Sequence, residues 1–235
     1  MNVVIPKEYP ATVVAAATLT PKVVFLQLRP EKTAPFVPGQ YASFLLGNNR
    51  RPLSYASLPG EALLDFVIDI SPGGVCSQFA AHAKAGDAVR FLSPYGRFVM
   101  NKEDTRPLLF VATGTGIAPI RAQIKDLLAQ GETRPITLLF GNYTERDIVF
   151  REEFEALAQK HSTFTFIPVL SNAEGAWSGE TGWVTHVAPR RISDLPAWSA
   201  YVCGNPPMVK DMTALLLSAG TPKEHIHTEQ FTPAS

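Results

Sequence analysis

Cysteine is scarce in this chain, which has two in 235 residues. The two, Cys76 and Cys203, are far apart and lie in different contexts, so we expect no disulfide and a reducing compartment. The first residues lack the basic and apolar regions of a signal peptide. No apolar run approaches the roughly 18 residues of a membrane-spanning helix. The sequence therefore predicts a cytoplasmic protein without a membrane span.

An excess of charge is absent as well. The chain has 21 basic and 21 acidic residues. Without a basic surplus, nothing indicates nucleic acid or an anionic membrane as the main partner. The hydrophobic content of 46% is that of a globular protein with a real core.

Motifs for metal and P-loop chemistry are also missing. No stretch matches the GxxxxGK[ST] pattern of P-loop nucleotidases. His225 and His227 would share one face of a strand, but no third metal ligand lies near them. We therefore expect no metal site, and no cysteine cluster is present for a [2Fe–2S] centre.

The first hundred residues have the pattern of a small β domain. Turn residues separate six short strand-like stretches: ATVVAAATL, VVFLQLRP, QYASFLLG, RPLSYASLP, LLDFVIDI and DAVRFLSPYG. One stretch, CSQFAAHAKAG, has helical character, with Gly86 as the expected C-cap. This pattern predicts an antiparallel six-stranded β-barrel.

The second half alternates strands and helices. Apolar runs such as RPLLFVATGTG and PITLLFGN are each followed by an amphipathic stretch. This alternation predicts a parallel, Rossmann-like sheet with right-handed crossovers. The polar stretch at residues 101–107 is the natural boundary, and we predict one domain over 1–102 and a second over 103–235.

Two stretches of the first half are suited to an anion. RPLSYASLPG, residues 51–60, gathers Arg51, Ser54, Tyr55 and Ser57 in what reads as an edge strand. A solvated strand face would explain them, and so would a site for a flat, negatively charged ligand. Further on, GGVCSQF begins a helix, whose free N–H groups favour an anion.

The second half has two candidate ligand sites at strand ends. In VATGTGIAP, a glycine turn would let a diphosphate approach a helix start, although Pro119 replaces the last glycine of GxGxxG. Such turns also occur for packing alone. In YVCGNPPMV, Cys203 would face a ligand beyond the strand end. A lone cysteine is more often a small buried hydrophobe, so both interpretations stay open.

Taken together, five stretches resemble the motifs of one family in the right order. RPLS resembles its Arg-x-Tyr-Ser flavin motif, GVCS its Gly-x-x-Ser pyrophosphate motif, and GTGIAP its nicotinamide dinucleotide loop. CGNPPM is similar to its Cys-Gly-x-x-x-Met strand end, and EQF to its closing acidic-x-aromatic segment. The chain is identified on this resemblance as a member of the ferredoxin–NADP⁺ reductase superfamily, over nearly its whole length.

The resemblance implies FAD in the first domain and NADH or NADPH in the second. Arg51 would neutralise the flavin pyrophosphate, and Ser54 would lie near the flavin N5. Cys203 and Glu229 would line the nicotinamide pocket, and Phe231 would lie close to the isoalloxazine ring or the pocket floor. Ser54, Cys203 and Glu229 are the predicted catalytic residues. The predicted cofactor-binding residues are Arg51, Pro52, Leu53, Ser54, Ile68, Gly74, Val75, Cys76, Ser77, Tyr95, Thr113, Gly114, Thr115, Gly116, Pro119, Cys203, Gly204 and Phe231.

The resemblance also implies an electron acceptor such as a ferredoxin, a flavodoxin or an oxygenase component. Leu53 stands where the family usually has tyrosine, so an aromatic contact with the flavin is lost. Two alternatives stay open: a flavin reductase that releases reduced free flavin, and a non-catalytic nucleotide-binding regulatory or electron-transfer subunit.

The choice between NADH and NADPH depends on the segment FGNYTERDIVFREE. Arg146 would favour a 2′-phosphate, whereas Tyr143 occupies a position where NADPH-preferring relatives often have arginine. Arg146 and Arg151 are equally compatible with a solvated surface, so the sequence leaves the preference open.

Overall fold

A computed structural model describes residues 5–231 of the chain. These residues form two compact units. The first contains the residues up to Met100 together with Ala118–Asp126. The second contains Asn101–Ile117 and the described residues from Leu127 to Phe231.

The first unit is built on an antiparallel sheet. Its strands in the described chain are β1 (Lys7–Thr20), β2 (Val23–Pro30), β3 (Tyr41–Leu46), β4 (Asn49–Ser54), β5 (Leu64–Asp69) and β6 (Ala88–Tyr95). Their order across the sheet is β4-β3-β6-β1-β2-β5. An antiparallel bridge between Tyr55 and Phe66 joins the two end strands. The sheet is therefore curled on itself, and the predicted six-stranded antiparallel barrel is confirmed.

The barrel core is formed by alternating residues of the strands. In β2, Val24, Leu26 and Leu28 are buried, and the residues between them are only partly covered. Phe44 packs edge-on against Phe66, with ring centroids 4.9 Å apart. Burial of these apolar and aromatic side chains is the main stabilising contribution to this unit.

One helix of the first unit, α1 (Val75–His82), begins directly after Gly74 as the sequence predicts. The prediction that Gly86 caps its C-terminus is wrong. The helix ends at His82, Ala83 is already extended with a ψ of 135°, and Gly86 lies in the following turn with a φ of 96°. The N–H of Gly86 donates to the Val13 carbonyl at 2.9 Å, so this glycine serves the connection to β6.

The second unit is built on a parallel sheet. Its described strands are β7 (Leu108–Thr113), β8 (Ile136–Asn142), β9 (Phe164–Leu170), β10 (Glu180–Thr181), β11 (Ser199–Gly204) and β12 (Ile226–Gln230). They lie in the order β10-β9-β8-β7-β11-β12, and every pair is parallel. The central strands read as apolar runs because they are buried on both faces. The predicted parallel sheet is confirmed.

Four further α-helices follow in the described part of the chain: α2 (Ile117–Ala129), α3 (Arg151–Lys160), α4 (Val184–Arg191) and α5 (Pro206–Ser218). The sequence predicts α2, α3 and α5 but misses α4, which is short and contains Pro189. Within residues 5–231, the helices are too short or too polar to cross a membrane.

Candidate functional site

Arg51 lies on β4 close to the first turn of α1. Its Nη1 donates to the neighbouring Arg50 carbonyl at 3.0 Å, and its Nε is buried without a hydrogen-bond partner among the described residues. Burial raises the pKa of the Cys76 thiol to about 11, and the positive charge of Arg51 partly offsets this rise. The structure therefore brings Arg51 and the Gly74–Ser77 turn together, as the sequence predicts for an anion site.

The start of α1 presents backbone N–H groups rather than side-chain hydroxyls. Gly74 is the N-cap and makes no side-chain cap. The Ser77 hydroxyl donates to the Asp69 carbonyl at 3.1 Å, which attaches the helix to the end of β5. Ser77 therefore holds the turn in place, and Val75 is 38% exposed beside it.

The remaining residues of the RPLS motif alternate along β4. Pro52 is exposed, and Leu53 is partly buried against the barrel core. Ser54 is the last residue of the strand, is 5% exposed and pairs with Tyr41 of β3.

Tyr95 ends β6 and belongs to a small polar and aromatic cluster. Its ring stacks on Tyr41 at a centroid distance of 5.7 Å. The Arg50 Nη2 donates to the Tyr95 hydroxyl at 2.9 Å. Ile68, by contrast, is 3% exposed and packs in the barrel core, which leaves little of its surface for a ligand. Its role as a cofactor contact stays a prediction.

In the second unit, β7 ends in the glycine turn that the sequence singles out. Thr113 is the last strand residue, and Gly114–Gly116 forms a single 3-10 turn before α2. Gly114 has a φ of 53°, and a Cβ there would meet nothing within 4 Å. A Cβ on Gly116 would collide with the Cys203 carbonyl. Gly114 thus borders open space, whereas Gly116 permits close packing on β11. Pro119 is the third residue of α2.

The ends of β7 and β11 are joined by Asn205. Its backbone N–H donates to the Thr113 hydroxyl at 3.2 Å, and its side-chain amide does so at 3.3 Å. The same side chain caps α5 by accepting from the Met208 N–H at 2.9 Å. Asn205 therefore fixes two strand ends at the carboxyl edge of the sheet, where open α/β sheets bind ligands.

Cys203, Glu229 and Phe231 come together beside this edge. Cys203 of β11 pairs with Glu229 of β12, and the Phe231 N–H donates to the Gly204 carbonyl at 2.9 Å. Cys203 is fully buried. Burial, with a smaller contribution from Glu229, raises the pKa of its thiol well above the usual range. The thiol is therefore protonated at neutral pH and is no thiolate nucleophile.

These features fit two diphosphate groups, one in each unit. The unpartnered Nε of Arg51 beside the N-terminus of α1 is suited to an anion. The open space at Gly114, directly before α2, is suited to another. No group of three or more potential metal ligands is present among residues 5–231.

Comparisons with known proteins decide the family. A model of the oxidoreductase NAD-binding domain matches residues 110–214. The ferredoxin–NAD(P)⁺ reductase component of the naphthalene 1,2-dioxygenase system of Pseudomonas putida is 32% identical over 224 residues, covering 94% of this chain and 68% of that protein. Ferredoxin–NADP reductase B of Sorangium cellulosum is 31% identical over 239 residues, covering 96% and 98%.

The chain belongs to the ferredoxin–NAD(P)⁺ reductase family. It is an oxidoreductase with an NAD-binding domain. Among solved structures, the Amycolatopsis reductase GcoB has a TM-score of 0.92 at 27% identity, covering 98% of this chain and 71% of that one. A ferredoxin–NADP⁺ reductase from Neisseria gonorrhoeae with bound FAD and NADP has a TM-score of 0.83 at 21% identity, covering 95% and 98%. The latter likeness shows the fold.

Two residues that sequence reasoning missed take part in these arrangements. Arg50 contacts Tyr95, and two adjacent arginines in the sequence carry no sign of which one does so. Asn205 joins the two strand ends, and for this residue the sequence does contain a signal. An asparagine directly before proline is typical of a helix N-cap, and that position follows a predicted buried strand.

Proposed function

We propose that this member of the ferredoxin–NAD(P)⁺ reductase family holds FAD on its barrel unit and NADH or NADPH on its parallel-sheet unit. The observation that carries the proposal is the buried Nε of Arg51 beside the start of α1, which has no hydrogen-bond partner within residues 5–231. An unpaired buried donor on a cation is costly unless a ligand completes it. When bound, FAD supplies the redox chemistry, accepting a hydride from the nicotinamide and passing electrons on singly.

On the barrel unit, the residues of this chain bind and orient the flavin. The guanidinium of Arg51 and the N–H groups of Val75 and Cys76 would hold the pyrophosphate. The buried hydroxyl of Ser54 would hold a hydrogen bond at the flavin N5. Tyr95, fixed by Arg50 and Tyr41, would contact the adenosine part.

On the parallel-sheet unit, the turn at Gly114 and Thr115 would hold the nicotinamide cofactor's diphosphate at the start of α2. Cys203 would lie behind the nicotinamide pocket as a neutral group, because its side chain is fully buried and its thiol stays protonated. Glu229 would act as a polar group next to it.

The acceptor that fits this chemistry is a one-electron protein partner, such as a ferredoxin, a flavodoxin or an oxygenase component. Support comes from relatives named as reductase components of dioxygenase and monooxygenase systems. The chain spans 61% of the Rhodococcus jostii propane 2-monooxygenase reductase component and 67% of the Pseudomonas phenol 2-monooxygenase one. We place the protein in the cytoplasm, where free thiols such as Cys76 and Cys203 persist.

A second candidate is a reductase of diffusing flavin. It is favoured by Leu53, an aliphatic side chain packed against the barrel core, where the family motif has tyrosine. Without a stacked aromatic ring, the flavin loses a contact of about 0.5–1.5 kcal/mol. This loss lowers the affinity for the flavin and does not change the reaction that the flavin carries out.

Flavin retention separates the two candidates. The protein is saturated with FAD, passed over a gel-filtration column, and its visible spectrum compared with its protein absorbance. Stoichiometric flavin in the protein peak supports the bound-FAD reductase. A colourless peak that oxidises NAD(P)H only when free flavin is added supports the flavin-reductase candidate.

A further inference from the structure

The chain just beyond β4 is held by a buried ion pair. At Ala56 the N–H donates to the Asp65 carbonyl at 2.8 Å. The Ala56 carbonyl accepts from the Arg121 Nη1 at 2.7 Å. Because Ala56 is fully buried, its carbonyl is shielded from water. The hydrogen bond from Arg121 satisfies this buried acceptor.

Arg121 and Asp65 form a pair inside the first unit. They are 7% and 8% exposed, and the Arg121 Nη1 lies 3.2 Å from the Asp65 Oδ2. The other carboxylate oxygen accepts from the Gln27 Nε2 at 2.9 Å, and the Asp65 N–H donates to the Ser57 Oγ at 3.1 Å. The pair therefore forms hydrogen bonds with two successive residues, Ala56 and Ser57.

A buried ion pair adds little net free energy of folding. Apolar side chains of similar volume often stabilise a core equally well, because both charges must be desolvated. One guanidinium nitrogen, Nη1 of Arg121, donates to both the Ala56 carbonyl and the Asp65 carboxylate, and the rigid plane of the group fixes its direction. What this pair provides is therefore a fixed location for the backbone at Ala56, two residues after Ser54.

We propose that Arg121 and Asp65 are positioning residues that hold the Ser54–Ser57 segment, and through it the Ser54 hydroxyl, in place for the flavin. The inference rests on the proposed function, in which Ser54 lies at the flavin N5. A misplacement of about 1 Å at a reacting centre lowers the rate by about 100-fold. Arg121 and Asp65 themselves touch neither cofactor in this scheme.

The first test is Arg121→Lys, which keeps a buried positive charge for Asp65 but on a shorter side chain, without the rigid guanidinium that places Nη1 against both Asp65 and Ala56. A second variant, Arg121→Met with Asp65→Asn, leaves no unpaired charge in the core. Each variant is loaded with FAD and mixed anaerobically with NADH or NADPH in a stopped-flow instrument. We expect the flavin reduction rate at saturating nicotinamide to fall about 10- to 100-fold. The nicotinamide concentration for half-maximal rate should stay unchanged.

Gln123→Met is the matched control on the same helix. Gln123 is fully buried and its Nε2 donates to the Phe98 carbonyl at 2.6 Å, so its loss removes an α2 contact without touching Ala56. We expect this variant to reduce its flavin at the wild-type rate. Equal slowing of the control would overturn the inference, since the effect would then belong to α2 as a whole.

Three further outcomes are decisive. Wild-type reduction rates in the flavin-loaded Lys and Met/Asn variants would overturn the positioning role, even if their melting temperatures fell. Failure of the wild-type protein itself to reduce bound flavin would instead overturn the proposed function. Slow reduction in Ser54→Ala together with normal reduction in the Arg121 variants would leave the proposed function standing and reject the inference alone.

Discussion

At the scale of single residues, Arg51 is the most informative side chain of the barrel. It is half-buried, and its Nε is unpartnered among the described residues. Its charge also lies near enough to the Cys76 thiol to offset part of the rise in that thiol's pKa that burial causes. A half-buried guanidinium next to a helix start is the arrangement expected for a pyrophosphate.

Replacement of Arg51 by alanine should therefore weaken flavin binding. Loss of one charge-assisted hydrogen bond costs about 1.5–3 kcal/mol, or roughly 10- to 100-fold in affinity. Fluorescence titration of the apoprotein with FAD measures the change. Arg90→Ala is the control, because Arg90 forms an exposed ion pair with Glu8 on the same barrel. Equal FAD affinity in Arg51→Ala and wild type would reject the assignment.

The two thiols give a prediction about reactivity. Burial raises the pKa of Cys76 to about 11, partly offset by Arg51, and raises that of Cys203 well above the usual range. Both should react slowly with iodoacetamide in the folded protein at neutral pH, because the thiolate is the reactive form. Mass spectrometry before and after unfolding measures the labelling. Rapid labelling of native Cys203 would contradict its assignment as a neutral group behind the nicotinamide pocket.

At the scale of elements, β12 carries a titratable group in an unusual environment. His227 stacks on Tyr201 with ring centroids 4.4 Å apart, and its Nε2 is buried without a partner among the described residues. Burial lowers the pKa of His227, with Asp104 opposing the shift and His225 adding to it. The neutral form is therefore favoured in the folded state.

This shift predicts acid sensitivity of the second unit. Because the folded pKa lies below the unfolded value of about 6.5, the stabilising contribution is complete above that pH. It is lost as the pH falls through the folded pKa. Urea unfolding at a series of pH values should show a declining free energy of unfolding below about pH 6.5. His227→Phe keeps the stacked ring and should flatten this decline.

The control for this experiment is His186→Gln, since His186 is exposed on α4. It should leave the pH dependence of unfolding as in the wild type. A pH profile that is identical in His227→Phe and wild type would show that another group is responsible.

At the scale of the whole molecule, hydrophobic patterning carries most of the fold. Alternation in β2 and the buried runs of β7, β8 and β11 predict the antiparallel barrel and the parallel sheet. The sequence motifs also assign Arg51 and the helix start at Gly74–Ser77 to one pyrophosphate site, and place Gly114 and Cys203 at strand ends. The short elements β10 and α4 escape prediction, because two residues have no periodicity and Pro189 interrupts the helical pattern.

Long-range polar contacts are the part that one sequence does not reveal. In the sequence, Arg121 looks like one of several charges on an amphipathic helix. In the structure it is buried and forms an ion pair with Asp65, which lies 56 residues earlier in the chain. Asn205 likewise contacts Thr113 across 92 residues. No local pattern encodes such pairings, because they depend on which distant segments pack together within each unit.

The central claim is that NADH or NADPH reduces flavin held by this chain. The most direct measurement is an anaerobic titration of the FAD-loaded protein with each nicotinamide, followed by the visible absorbance of the flavin. The account predicts that one of the two bleaches the flavin stoichiometrically and so identifies the preferred cofactor. Bound flavin that neither NADH nor NADPH can bleach would contradict it.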